Sequence, residues 1–349
     1  MLLIGILILI WLGFGVKNVV GLSDTSFHLS PFDTKAVLPL RGLLAIMIVL
    51  HHFNTLYPED FYWLSQAGFW GVPVCTLFFF FSGYGLTISY INKGRGYLSG
   101  FISKRLSKLF IPILITIVIH LLFTFFIGEI NGDDILKGLS AGVPILPHLW
   151  FVCVLLLFYV IFYLCFRFFP KTRNAVWGVW ICILAYMFAI HKIGWGGYYI
   201  ASIHGFGLGV TIAVLYKKIK EFIERNPKKF LFVFAIITCA ILIYSTIGCY
   251  FYPLPAWGSV VSWVLPLMVI GCSSFYVLPL NKVLHFLGGI SFEIYLVHVS
   301  VMLLMHSYIQ NTTLFFVLTL VITLCFALSV IYLSGIIHNL HGFNFSSSI

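Results

Sequence analysis

One apolar stretch, LRGLLAIMIVLHHFN, carries a guanidinium and an imidazole eleven positions apart, Arg41 and His52. At 100° per residue that interval is three turns plus about 20°, so a helix puts both on one face, about 16 Å apart along its axis. A buried imidazole can take a proton as a general base near neutral pH. A guanidinium stays charged and binds anions through a fork of donors. The pair therefore suits a reaction that deprotonates a hydroxyl above a docking point for an anionic ligand. His51, about 100° round the helix from His52, is a second candidate base, and spacing does not choose between the two. The alternative is structural: a snorkelling Arg41, with both histidines bonded between helices.

Other polar groups sit in apolar surroundings. In GGISFEIYLVHVS, the residues Ser291, Tyr295 and His298 follow an i, i+4, i+7 pattern and share a helical face. Glu293 lies about 200° from Ser291, and a carboxylate there needs a partner or a proton. Ser82, Gly83 and Gly85, in LFFFFSGYGLTISY, allow close helix packing or an opening for a ligand. Lys104, Arg105 and Lys108 precede an apolar run and read as an anchor beside anionic lipid or as a phosphate-binding entrance. Pro112, just beyond them, is expected near a first helical turn. Trp150 suits an interfacial aromatic belt that could contact substrate, and His148 a headgroup position without a role. His120, His191 and His204 read as isolated structural or interfacial residues.

The elements that would position these groups are membrane helices. The chain is 61% hydrophobic and 9% charged, with a mean hydropathy of +1.07. Soluble domains carry roughly 25% charged residues. Eleven apolar stretches run near 2–16, 38–57, 68–90, 109–128, 148–169, 175–191, 198–216, 230–250, 257–278, 288–308 and 313–337, most of them long enough to span a bilayer. The first lacks a basic leader and a small-residue cleavage site, so it reads as a signal anchor or accessory helix.

Basic residues occupy alternate loops: Lys93 to Lys108, Arg167 to Arg173, Lys217 to Lys229, and Lys282. Glu59, Asp60, Glu129, Asp133 and Asp134 occupy the other set. The positive-inside bias makes the basic loops and the C-terminus cytoplasmic, in a cell membrane. The same bias accounts for the net charge of +10 without nucleic acid. The eight cysteines form no CxxC pair, so neither a disulfide framework nor a zinc site is expected. No P-loop, dinucleotide fingerprint, HExxH or GxSxG is present. The organisation expected is an apolar segment and linker over 1–37, a ten-helix domain over 38–337 and a tail over 338–349.

The chain resembles the acyltransferase 3 family of membrane acyltransferases. Arg41-Gly42 with ten residues before His52 is similar to that family's Arg-x10-His helix. FFFFSGYGL, SKRLSKLFIP, LPHLWFVCVLLLFY and GGISFEIYLVH resemble its later blocks, in the same order. The likeness covers about 38–335 and implies an all-α integral membrane bundle of ten helices, eleven with the first segment. It implies O-acyl transfer from cytoplasmic acyl-CoA, most often acetyl-CoA, to a hydroxyl, often of an exported glycan. No permanently bound cofactor is implied. Partners would be membrane lipid and, where the acceptor is a polysaccharide, the proteins that make it. His52 and Arg41 stand at the family's motif histidine and arginine, and Arg105 at the first basic residue of its RxxR-like segment. Lys108 stands where a second arginine is often found, which weakens a bidentate phosphate contact. The runner-up from the sequence is a transporter or flippase of a lipid-linked saccharide.

Overall fold

The computed structural model describes residues 34–128, 144–146, 148–226, 228–230 and 282–340, and positions 232, 233, 236, 237 and 240. Among them the long elements are α1 (Thr34–Leu56), α2 (Gly71–Lys93), α3 (Phe101–Phe126), α4 (Trp150–Phe168), α5 (Thr172–Ile193), α7 (His204–Arg225), α9 (Ser291–Tyr308) and α10 (Thr312–Leu340). Two short helices, α6 (Tyr198–Ala201) and α8 (Lys282–Gly289), lead into α7 and α9. A 3-10 segment, Tyr62–Phe69, links α1 to α2. The protein is an all-α membrane protein. Seven described helical spans are long and apolar enough to cross a bilayer, and α8 with α9, bent by 76°, makes an eighth if the pair is one span. Eight of the eleven apolar stretches thus have helices. Stretches 2–16 and 257–278, and nearly all of 230–250, lie outside the described residues.

Lipid is as apolar as leucine, so helices in a bilayer associate through close packing and hydrogen bonds rather than through exclusion of water. Glycine supplies the close packing. Gly42 of α1 lies against the Leu284 carbonyl of α8, and Gly288 of α8 against the Leu38 carbonyl of α1. The α2–α7 pair is built the same way, with Gly83 on the Phe206 carbonyl and Gly209 on the Phe80 carbonyl. Gly85 has no such neighbour and is exposed. The outward faces of α3 and α5 show Val118, Leu122, Trp177, Ile181 and Leu184 to the surroundings, as a lipid-facing surface requires.

Two helices begin elsewhere than their apolar runs suggest. α3 starts at Phe101, so Lys104, Arg105 and Lys108 are helical, and Pro112 is in the interior rather than in the first turn. There it removes one backbone hydrogen bond, while Thr116 Oγ1 donates to the Pro112 carbonyl at 2.8 Å. The stretch 288–308 is not one helix. The chain turns at Ile290, and Ser291 Oγ donates back to the Gly288 carbonyl at 2.9 Å. Ser291 therefore closes the bend.

Candidate functional site

α1, α9 and the turn before α4 bring four histidines together. His52 is 4% exposed and His298 is fully enclosed. His52 Nδ1 and His298 Nε2 are 2.7 Å apart, a hydrogen bond between α1 and α9. The His148 ring lies 3.9 Å from that of His52, and the His51 ring 4.9 Å. Phe53, next to His52, packs in an aromatic plug with Phe61, Phe315 and Phe316. Phe53, Phe61 and Phe315 of that plug are buried.

The two adjacent histidines have different surroundings. His51 Nδ1–H donates to the Ala67 carbonyl at 3.0 Å. Its Nε2 is closed off by Gly71, where even a Cβ would lie 2.5 Å away. Both edges of His51 thus face backbone, and the ring ties α1 to the 3-10 segment and the start of α2. His52 instead meets another imidazole, His298, across the bundle through Nδ1, with the Ile48 carbonyl of its own helix also within reach, so its geometry suits a base better.

His148, expected at the headgroups without a role, stands at the site instead. It has a left-handed backbone, φ 60°, the only positive φ outside glycine among the described residues. Such a conformation costs an L-residue roughly 1–2 kcal/mol. Tyr295 holds it there, its hydroxyl donating to the His148 carbonyl at 2.6 Å. Burial, and His51 beside it, lower the His148 imidazole from 6.5 to about 4, so it is neutral at physiological pH. Trp150, two residues on, starts α4 and is buried, with its ring 5.4 Å from Tyr198 and 5.8 Å from Tyr199.

The other end of the same α1 face carries Arg41. It is half-buried, and no described residue gives its guanidinium a hydrogen bond or an ion pair within 4 Å. Glu293 of α9, half-buried too, and Tyr159 of α4 lie within electrostatic reach. Glu293 thus has the cationic neighbour its position demands. Arg105 is set from α3: its Nη2 donates to the Tyr97 hydroxyl at 2.9 Å, and its guanidinium lies 6.0 Å from the centre of the Phe101 ring. The Phe101 ring lies 6.4 Å from that of Tyr159, the tyrosine near Arg41. Lys108, a turn further along α3, is exposed.

The structure also places the remaining residues singled out in the sequence. Ser82 is half-buried and makes no described contact with the histidines; Gly83 beside it does the packing. His298, expected on one face with Ser291 and Tyr295, meets His52 directly. His120 is not isolated, because its Nδ1 shares a 3.0 Å hydrogen bond with Ser300 Oγ between α3 and α9. His148 is the functional candidate that periodicity missed. The one sequence signal for it was a histidine between a proline and the first turn of a helix. Among the described residues no three His, Cys, Asp or Glu side chains are arranged to hold a metal ion.

A many-spanned helical bundle with buried imidazoles and a guanidinium on one stripe defines a membrane protein built for polar chemistry inside an apolar body. A family model described as an acyltransferase domain, acyltransferase 3, matches residues 40–337. The chain belongs to that family and is a membrane acyltransferase. No curated protein and no solved structure matches it.

Proposed function

We propose that the protein moves an acyl group, acetyl in the simplest case, from cytoplasmic acyl-CoA to a hydroxyl of an exported or cell-surface glycan. The observation that carries this is the α1 stripe, with an enclosed His52 in an imidazole cluster and Arg41 about three turns away without a described hydrogen-bond partner. His52 takes the proton from the acceptor hydroxyl as its oxygen attacks the thioester carbonyl. The tetrahedral intermediate collapses, the carbon–sulfur bond breaks, and the departing thiolate takes the proton back from His52. The products are an ester and free CoA. Arg41 and Arg105 hold the phosphates of the donor, with Lys108 as an outer cation. Glu293 sets the charge balance beside Arg41. Trp150, Tyr295 and His298 shape the space round His52, and the aromatic plug excludes water that would hydrolyse the donor. The positive-inside bias of the basic loops supports a donor side in the cytoplasm of a cell-membrane protein, with the acceptor arriving from the other side, supplied by glycan-assembling proteins.

One feature favours a second reading: the bend between α8 and α9 is the kind of broken helix that transporters use. Purified protein in vesicles, given acyl-CoA labelled in the acyl group, separates the two. Loss of label from CoA into an added saccharide supports the transferase. Saccharide flux with no CoA consumed supports the transporter and overturns the proposal.

A further inference from the structure

We propose that His298 is the positioning residue of the catalytic base: it fixes His52 as the Nδ1–H tautomer, so that Nε2 is the nitrogen that meets the acceptor hydroxyl. This rests on the reading of His52 as base. Carbonyl oxygens can only accept a hydrogen bond. His298 Nδ1 lies 2.8 Å from the Tyr295 carbonyl and 3.0 Å from the Ile294 carbonyl, so it carries a proton. An enclosed imidazole with no carboxylate beside it among the described residues rests in its neutral form. Its other nitrogen, Nε2, is therefore a bare lone pair. That lone pair faces His52 Nδ1 at 2.7 Å, and two bare nitrogens would repel, so His52 Nδ1 donates. A neutral His52 with its proton on Nδ1 has its own lone pair on Nε2.

The backbone of α9 thus acts on the tautomer of a residue on α1 through one intervening ring, beside the Ile48 carbonyl of α1 that the His52 ring also reaches. When His52 takes the substrate proton, its Nδ1–H already points at an acceptor that stabilises the imidazolium. In serine hydrolases a carboxylate fills that place. Here the acceptor is a neutral imidazole, so the site can stay dry without a buried anion. The rings of His51 and His148 face that of His52, and the Tyr295 ring lies beside that of His298. His51 is excluded from the relay because its Nδ1–H is already given to the Ala67 carbonyl.

Two variants of similar size separate positioning from packing. His298→Gln keeps an acceptor oxygen near the place of Nε2; His298→Leu keeps bulk and removes the acceptor. The expected result is a loss of about 10²-fold or more in kcat for the leucine variant, with KM for acyl-CoA changed by less than about twofold, and recovery by the glutamine variant to within about tenfold of wild type. Equal kcat in the two variants would assign His298 to packing alone and overturn the inference. Nitrogen-15 spectra of histidine-labelled wild-type protein test it without a variant: His52 should show its proton on Nδ1, and a proton on Nε2 would overturn it. An inactive His52→Ala beside indistinguishable His298 variants removes this inference only. An active His52→Ala removes the base itself.

Discussion

Replacing Gly288 by alanine should loosen the lower half of the site without touching a charged or titratable group. A Cβ there would sit 2.6 Å from the Leu38 carbonyl carbon and 3.0 Å from its Cα, where ordinary contact begins at 3.4 Å. Both are backbone atoms, so no rotamer change relieves the clash. α8 must withdraw from α1 by at least 0.8 Å to bring the closer of these two pairs to 3.4 Å. Overpacking of this kind costs roughly 1–3 kcal/mol. Leu38 lies one turn before Arg41 on α1. A displacement near 1 Å at a positioning residue can cost about 10²-fold in rate. Thermal unfolding in detergent and acyl transfer to a saccharide measure the two effects separately. Gly85→Ala is the control: nothing lies within 4 Å of its Cβ, so stability should hold or rise slightly. A Gly288→Ala protein as stable and as active as wild type would refute the reasoning that this crossing sets the position of Arg41.

Three further outcomes follow from the geometry. Arg41→Gln should raise KM for acyl-CoA by about 10- to 100-fold, the value of one charge-assisted contact, with kcat less affected; an unchanged KM in initial-rate assays would take Arg41 off the donor. Tyr295→Phe removes the 2.6 Å hydrogen bond that holds His148. It should cost about 0.5–1.5 kcal/mol in thermal stability and lower kcat, and a variant that matches wild type in both would show that His148 needs no tether. The protein should lose stability on acidification. His148 is held near 4 in the folded chain against 6.5 when unfolded. The unfolded chain therefore gains a proton that the folded one refuses as pH falls from about 6.5 to about 4. Melting temperatures that stay flat over that window in wild type, or fall equally in His148→Phe, would contradict this.

Much of the architecture is legible in the sequence because lipid demands long apolar runs, and eight of them correspond to described helices. The α1 face is legible too, since an eleven-residue interval fixes angle and rise together. His298 could be placed on a face by its spacing from Ser291 and Tyr295, but not paired. The pairing depends on how α9 meets α1; α9 follows α8, and the α8–α1 crossing is set by Gly42 and Gly288, whose partners are backbone atoms far along the chain. His148 was illegible for a different reason: it lies in a turn, where no period operates, and its left-handed backbone depends on a tyrosine 147 positions away. The start of α3 was hidden because Lys104, Arg105 and Lys108 interrupt the hydropathy without interrupting the helix. The bend at Ile290 was hidden because the bonds that close it are local and leave the apolar run unbroken.

His52 is the group proposed to accept the acceptor's proton. The most direct measurement is the single-turnover rate of acyl transfer from labelled acyl-CoA to saccharide, for wild type, His52→Gln and His51→Gln, each at equal folded abundance. His52→Gln should lower the rate by about 10²- to 10⁴-fold. His51→Gln, whose parent ring faces backbone on both edges, should be affected chiefly in stability. A His52→Gln enzyme that transfers at the wild-type rate would contradict the claim.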